Sequence, residues 1–210
     1  LVKNPDQAKI GGDNRVSTIM FADIKNYTTY SEKRRPHEVV KILNEYLAEM
    51  VDVVIKYEGT LDKFMGDGIL AYWNAPIEQE DHAERAVKCT LEMIERMEGL
   101  RRQWVSEGTE PLSFGIGINT GEVIVGNIGA VGKKMEYTAI GDNVNLTYRI
   151  QNESRHVNCP VMTASVYEQV KDIVVAESMG PVMVKGKHIP VAIYALRSMH
   201  NGGREGEQDA

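Results

Sequence analysis

Cysteine is scarce in this chain, with only Cys89 and Cys159 among 210 residues. The two stand far apart and match no metal-ligand spacing, which excludes a disulfide scaffold and a zinc module built on Cys pairs. Cys89 falls inside a helical pattern, so buried free thiols in a reducing, cytoplasmic setting are expected. Long apolar runs are missing too: none approaches the ~18 residues of a membrane-spanning helix, and no secretory leader is visible. No direct membrane contact is therefore expected from this segment. Positive charge is in deficit, with 24 Lys and Arg against 30 Asp and Glu, a net charge of −6. A general affinity for nucleic acid or anionic lipid is not expected. An anionic ligand has to be met by a local cluster of cations, with metal help. What remains has the composition and length of one ordinary globular domain. Residues 1–15 read as a linker or lead-in, 16–197 as the folded domain and 198–210 as a disordered polar tail. That is the expected look of a domain within a longer protein, whether soluble or membrane-attached.

The stretch Leu61-Asp62-Lys63-Phe64-Met65-Gly66-Asp67-Gly68-Ile69-Leu70-Ala71-Tyr72 organises the rest. Two apolar runs flank a tight Gly-Asp-Gly connection, which predicts a β-hairpin whose turn needs positive φ. Most such aspartates only form turns. A second acid changes the reading: Asp23 closes the apolar run Val16-Ser17-Thr18-Ile19-Met20-Phe21-Ala22. A carboxylate at a strand end beside one at a hairpin tip is a way to hold divalent cations through oxygen.

Taken in order, residues 16–23 predict a buried central strand. The polar turn Ile24-Lys25-Asn26-Tyr27-Thr28-Thr29 follows, with backbone N–H groups suited to a phosphate, which makes Tyr27 and Thr28 candidate substrate contacts. The plainer reading is a helix N-cap at Asn26 or Thr28. A helix over 36–57 carries one apolar stripe (Val39, Ile42, Leu43, Tyr46, Leu47, Met50, Val51, Val54) and ends at Gly59 as its C′ residue. A second helix is predicted over 81–105, with its methionines as core filler and His82 solvated or capping its start. Residues 113–119 predict a strand whose Gly115 and Gly117 imply close approach of a packed partner. Thr120-Gly121-Glu122 reads as a turn into a second hairpin. The Gly-rich loop over 126–134 is not a phosphate-binding P-loop, and Gly115-Ile116-Gly117 is not a dinucleotide fingerprint, because the spacings fail in both. A strand over 135–140 leads into a short helix on which Asn145 and Arg149, four apart, share one face. Residues 160–197 read as an αβ segment with a helix from Ala164 and strands near Ile173, Val182 and 189–195, Lys185-Gly186-Lys187 forming its last turn. Two helices on one side of a mostly antiparallel sheet predict a ferredoxin-like βαββαβ core of α+β class with a C-terminal αβ extension.

Together, Phe21-Ala22-Asp23-Ile24, Lys63-Phe64-Met65-Gly66-Asp67, Glu136-Tyr137-Thr138-Ala139-Ile140-Gly141-Asp142 and Asn145-Leu146-Thr147-Tyr148-Arg149 resemble the class III nucleotidyl cyclase catalytic domain. The resemblance spans most of the chain, and its strength is in the order and spacing of the motifs. It implies conversion of a nucleoside triphosphate to the 3′,5′-cyclic monophosphate and pyrophosphate by head-to-tail dimers with shared sites. It implies two divalent ions, Mg²⁺ or Mn²⁺, on Asp23, Asp67 and the Ile24 carbonyl. Lys63 and Thr138 match the pair that reads the purine, here in the form similar to adenylyl cyclases, so ATP is the expected substrate. Asn145 and Arg149 match the residues that orient ribose and stabilise the transition state. Lys185 resembles a triphosphate-binding lysine, with Lys133 a second candidate. Thr138 in place of Asp further implies the subclass reported as bicarbonate-stimulated. A hydroxyl both donates and accepts, so guanylyl cyclase stays open as an alternative. So does a catalytically silent nucleotide-binding dimerisation domain, whose usual mark is loss of a metal Asp or of the Asn/Arg pair; neither is lost here.

Overall fold

A computed structural model of the chain describes residues 11–130, 133–187 and 189–200. The elements run β1 (Gly11–Ile24), α1 (Tyr27–Glu32), α2 (Pro36–Lys56), β2 (Thr60–Met65), β3 (Gly68–Trp73), α3 (His82–Ser106), β4 (Phe114–Ala130), β5 (Lys134–Ile140), α4 (Asp142–Val157), β6 (Val161–Thr163), α5 (Ala164–Val170), β7 (Val174–Val182) and β8 (Val191–Met199). Their sheet has the order β2-β3-β1-β4-β6-β8-β7, with β5 paired to β4. The first four strands in that order, all antiparallel, are the ferredoxin-like core, and β6 adds the extension in parallel to β4. Among the described residues, no helix is long and apolar enough to cross a membrane.

Strand alternation decides which face each residue serves. On β1, Met20, Ala22 and Ile24 enter the core under α2 and α3, with Tyr46, Met50, Met93, Met97 and Trp104. Each fully buried side chain of that size contributes about 1.5–3 kcal/mol. The alternate residues Ile19 and Phe21 turn to the other face and pack with Leu70, Tyr72, Val125 and Ala139. Asp23 continues that second set, so its carboxylate emerges on the face without α2 and α3.

Helix α4 covers part of that face through the two glycines of β4. A Cβ on Gly117 would lie 2.5 Å from the backbone nitrogen of Gln151, and one on Gly115 would lie 2.2 Å from Ser154 Oγ. The expected close approach is therefore that of α4.

Several expectations need correction. Residues 11–15 are not linker: they pair with Val123–Asn127 as the first part of β1. No turn interrupts 120–122, because β1 runs alongside β4 throughout; the hairpin is β4–β5 instead. Ile173 and Val182 do not mark two strands: one strand, β7, begins just after Ile173, ends at Val182 and pairs with β8. Ser198 and Met199 belong to β8 rather than to a tail. The remainder of the tail, 201–210, and residues 1–10 lie outside the described residues. After α2 the left-handed residue is Glu58 (φ 56°), while Gly59 is needed for space: a Cβ there would meet the Trp73 ring at 2.7 Å. His82 is buried rather than solvated, with Nδ1 2.7 Å from Thr18 Oγ1. Cys89 is buried and Cys159 half-buried, both as free thiols.

Candidate active site

The hairpin and the end of β1 bring two acids together. Pairing of Ala22 with Ile69 sets the β2–β3 turn, where Gly66 takes φ 68°, beside the last residues of β1. There the Ile24 N–H donates to Asp67 Oδ2 at 3.1 Å. Burial first, then the hydrogen bond and charge of the neighbouring Asp23, push the Asp67 carboxyl up to about 7. On its outer side Asp23 accepts from Arg155 Nη2 at 2.7 Å. Partial desolvation beside a second carboxylate disfavours the charged form of Asp67, and an added cation relieves it. Among the described residues no group of three or more His, Cys, Asp or Glu is placed to hold a metal ion by itself. The chain thus offers two carboxylates and the Ile24 carbonyl, a sparse oxygen set that fits Mg²⁺ or Mn²⁺ sharing ligands with phosphate and water. Of the two α1 candidates, Tyr27 is near enough for the Asp67 charge, after burial, to raise its phenol. Thr28 is exposed, and its carbonyl accepts from Ser31 Oγ.

A second group forms where β2 faces β5. Between Leu61, opposite Ala71, and Lys63, opposite Leu70, the register slips by one, so Asp62 is the extra residue of a β-bulge. Leu61 packs on the α2/α3 side. In regular alternation Lys63 would follow it there; the bulge turns Asp62 and Lys63 to the opposite face together. Lys63 Nζ lies 2.7 Å from Glu136 Oε2 and 3.4 Å from Asp62 Oδ1. The first contact raises Lys63 and, with Lys134, holds Glu136 down to about 2. Thr138 Oγ1 donates to Asp62 Oδ2 at 2.7 Å, and the Ala139 N–H donates to the same oxygen at 3.0 Å.

The third group lines a cavity of about 470 Å³ between α4 and the β7–β8 turn, and it includes Asn145, Tyr148, Arg149 and Lys185. Arg149 Nη1 is buried without a hydrogen-bond partner. Its guanidinium packs closely on Gly186 (φ 78°), where a Cβ would stand 3.2 Å from Nη2. A half-buried guanidinium with one unpaired donor suits a phosphate oxygen. Lys133 joins none of these groups; its side chain is exposed, and its N–H closes the β4–β5 turn onto Ala130 O.

Three residues were not singled out from the sequence. Asp62 and Glu136 sit inside quoted motifs, and the adjacent charges Asp62-Lys63 in an alternating strand are the trace of the bulge. Arg155 reads as an ordinary cation at a helix C-terminus, which hides its reach to Asp23.

The model of the adenylate and guanylate cyclase catalytic domain matches residues 13–198. This chain belongs to that family. Adenylate cyclase 1 of Rhizobium meliloti is 37% identical over 180 residues, which cover 85% of this chain and 27% of that protein. Adenylate cyclase of Anabaena cylindrica is 32% identical over 192 residues, 88% of this chain and 37% of that protein. The chain therefore spans well under half the length of these relatives. Among solved structures, the adenylyl cyclase CyaB from P. aeruginosa superimposes with a TM-score of 0.85 at 34% identity, over 90% of this chain and 97% of that one. The guanylyl cyclase Cya2 gives 0.83 at 39% identity, over 93% and 98%.

Proposed function

We propose that the chain is an adenylyl cyclase catalytic domain that turns ATP into 3′,5′-cyclic AMP and pyrophosphate at two shared sites of a head-to-tail homodimer. The observation that carries the reading is the meeting of Asp23 and Asp67 at one point on the open face of the sheet. Asp23, Asp67 and the Ile24 carbonyl would hold two divalent ions, which supply charge neutralisation on the triphosphate and a lowered pKa for the ribose 3′-hydroxyl. The 3′ oxygen attacks the α-phosphorus in line as the bond to pyrophosphate breaks, and the hydroxyl proton leaves to water. Asn145 orients the ribose. Arg149 places its vacant N–H donor on the α-phosphate oxygens, where negative charge builds. Lys63 and Thr138 read the purine, and Lys185 meets the triphosphate. Thr28 and Lys133, exposed and outside the three groups, are assigned no role.

Within one chain Arg149 precedes Arg155, the partner of Asp23, by ~9 Å of helix axis, and its guanidinium lies against Gly186. Completion of the site by a second copy is supported by apolar side chains left exposed on the elements that carry it: Phe64, Met65, Tyr137, Ile140 and Tyr148.

The test is turnover of ATP against GTP by the purified chain, with Mn²⁺ or Mg²⁺, the product identified chromatographically. Cyclic AMP as the main product is expected. Cyclic GMP alone would transfer the chain to the guanylyl cyclases, a reading favoured by its likeness to Cya2. No cyclic product from either nucleotide, with nucleotide still bound, would make it a silent signalling domain. Adding bicarbonate to the same assay tests the finer expectation of stimulation by that anion.

A further inference from the structure

The Thr138 hydroxyl has one proton and two lone pairs, so which purine it favours depends on where the proton points. Nothing about Thr138 itself decides this; Asp62 does. Its side chain is fully buried, and its Oδ2 already accepts from the Ala139 N–H, a group that can only donate. Oδ2 is therefore an acceptor facing β5, and Thr138 Oγ1 donates to it at 2.7 Å. The other acceptor within reach, the Ala139 carbonyl at 3.5 Å, also belongs to the protein. Asp62 Oδ1, which has no hydrogen bond, faces Lys63 Nζ at 3.4 Å. One carboxylate thus lies between both purine-reading residues, and it reaches them because the bulge turns Asp62 to their face.

We infer that Asp62 is a specificity-determining residue: by holding the Thr138 proton, it leaves Thr138 able only to accept from the base, and so selects a 6-amino purine over a 6-oxo purine. Adenine presents an amine to that lone pair and a bare N1 to Lys63. Guanine presents a carbonyl oxygen to the lone pair and an N1–H to the ammonium, a mismatch at both positions. The inference rests on the reading above that Lys63 and Thr138 face the purine. Asp62 acts through Thr138 and touches no reacting atom.

The measurement is kcat/KM for ATP and GTP with Mn²⁺ in wild type, Asp62→Ala, Thr138→Val and the double variant. Freed of its acceptor, the hydroxyl can turn its proton to guanine. The ATP-to-GTP ratio is expected to fall about tenfold in Asp62→Ala, the scale of one hydrogen bond gained or lost. In the Thr138→Val background the same change should leave the ratio where it is, because the hydroxyl through which Asp62 acts is gone. Should Asp62→Ala not fold, Asp62→Leu fills the same buried volume and carries the test. Asp62→Asn should keep most of the preference, since the Ala139 N–H draws the amide oxygen to the Oδ2 position. A ratio untouched by Asp62→Ala or Asp62→Leu, while Thr138→Val changes it, overturns the role of Asp62 and spares the purine-reading pair. A ratio untouched by Thr138→Val removes that pair, and this inference with it.

Discussion

The Asp23/Asp67 corner and the Lys63/Asp62/Thr138/Glu136 cluster have much the same ingredients, carboxylates with long cations beside them, but an opposite balance of charge. At the corner two acids crowd together, a single guanidinium touches the outer one, and Asp67 is pushed up to about 7. In the cluster the charges are paired: Glu136 is held down to about 2, Lys63 is raised, and Asp62 receives two donors on one oxygen. The corner is left short of positive charge, and the cluster is complete before any ligand arrives. On the proposed reading, reaction chemistry needs the first arrangement, because ions acting on the phosphates would have to come from outside. Recognition needs the second, because a reader that must still organise itself discriminates poorly.

The largest effect should follow from breaking the corner. Asp67→Asn keeps the shape and removes the charge, and kcat is expected to fall on the order of 10³-fold, the several kcal/mol that metal ions supply at such centres. Chelation of divalent ions should abolish cyclic product in the wild type, and added Mg²⁺ should restore it. A variant that keeps wild-type turnover would remove the corner from the chemistry. Arg149→Ala comes next, expected to cost about 10²–10³ in rate as a lost preorganised donor. Neither an Asp23→Ala chain nor an Arg149→Ala chain should work alone, yet mixed they should regain activity, because a heterodimer pairs one intact corner with one intact Arg149 pocket. A mixture of two folded variants that stays inactive sinks the shared site.

The two regions were not equally legible beforehand. The corner could be read because its parts announce themselves locally: an acid ending an apolar run, and an acid in a Gly-Asp-Gly turn. The same holds for the placement of α4, where Gly115 and Gly117 already imply a close partner. Resemblance to the family supplied the roles proposed for Lys63, Thr138, Asn145 and Arg149, which no local pattern assigns. The cluster's internal wiring was hidden, since a one-residue register slip leaves only an adjacent charged pair as its mark. Arg155, distant in sequence from Asp23, meets it only once α4 lies on β4. The supposed turn at 120–122 failed for a similar reason: Gly121 suggests a turn, whereas its place in β4 is set by Asn143, whose side chain would stand 2.4 Å from a Cβ there.

A smaller effect tests whether the cluster is as complete as its pairing suggests. Glu136→Gln removes the carboxylate nearest Lys63 Nζ but leaves Asp62 in place. The pair is partly exposed to solvent, so a two- to fivefold rise in the KM for ATP with little change in kcat is expected, on the scale of a screened ion pair. The pH dependence has a definite sign. Glu136 titrates in the fold at about 2 against 4.5 for the free group, so its support is complete above 4.5 and fades only as the pH falls towards 2. The KM difference between wild type and Glu136→Gln should therefore stay constant at every pH from 5 upward at which Lys63 remains charged. A difference that disappears between pH 5 and 7 would mean that some other group holds Lys63.

The smallest effect concerns Arg155, the cation in contact with Asp23. Arg155 Nη2 sits 2.7 Å from Asp23 Oδ2, with the side chains 37% and 18% exposed, so water screens the pair and its energy is modest. As a competitor for a carboxylate oxygen, Arg155 should weaken metal binding slightly. Arg155→Gln is then expected to lower the Mg²⁺ concentration for half-maximal activity about two- to threefold, and the gain should shrink as salt rises. The opposite shift, a higher Mg²⁺ requirement in Arg155→Gln, would recast the guanidinium as the brace that aims Asp23 at the ions. The corner would then share with the cluster a carboxylate positioned in advance, and the contrast between the two would reduce to Asp67 alone.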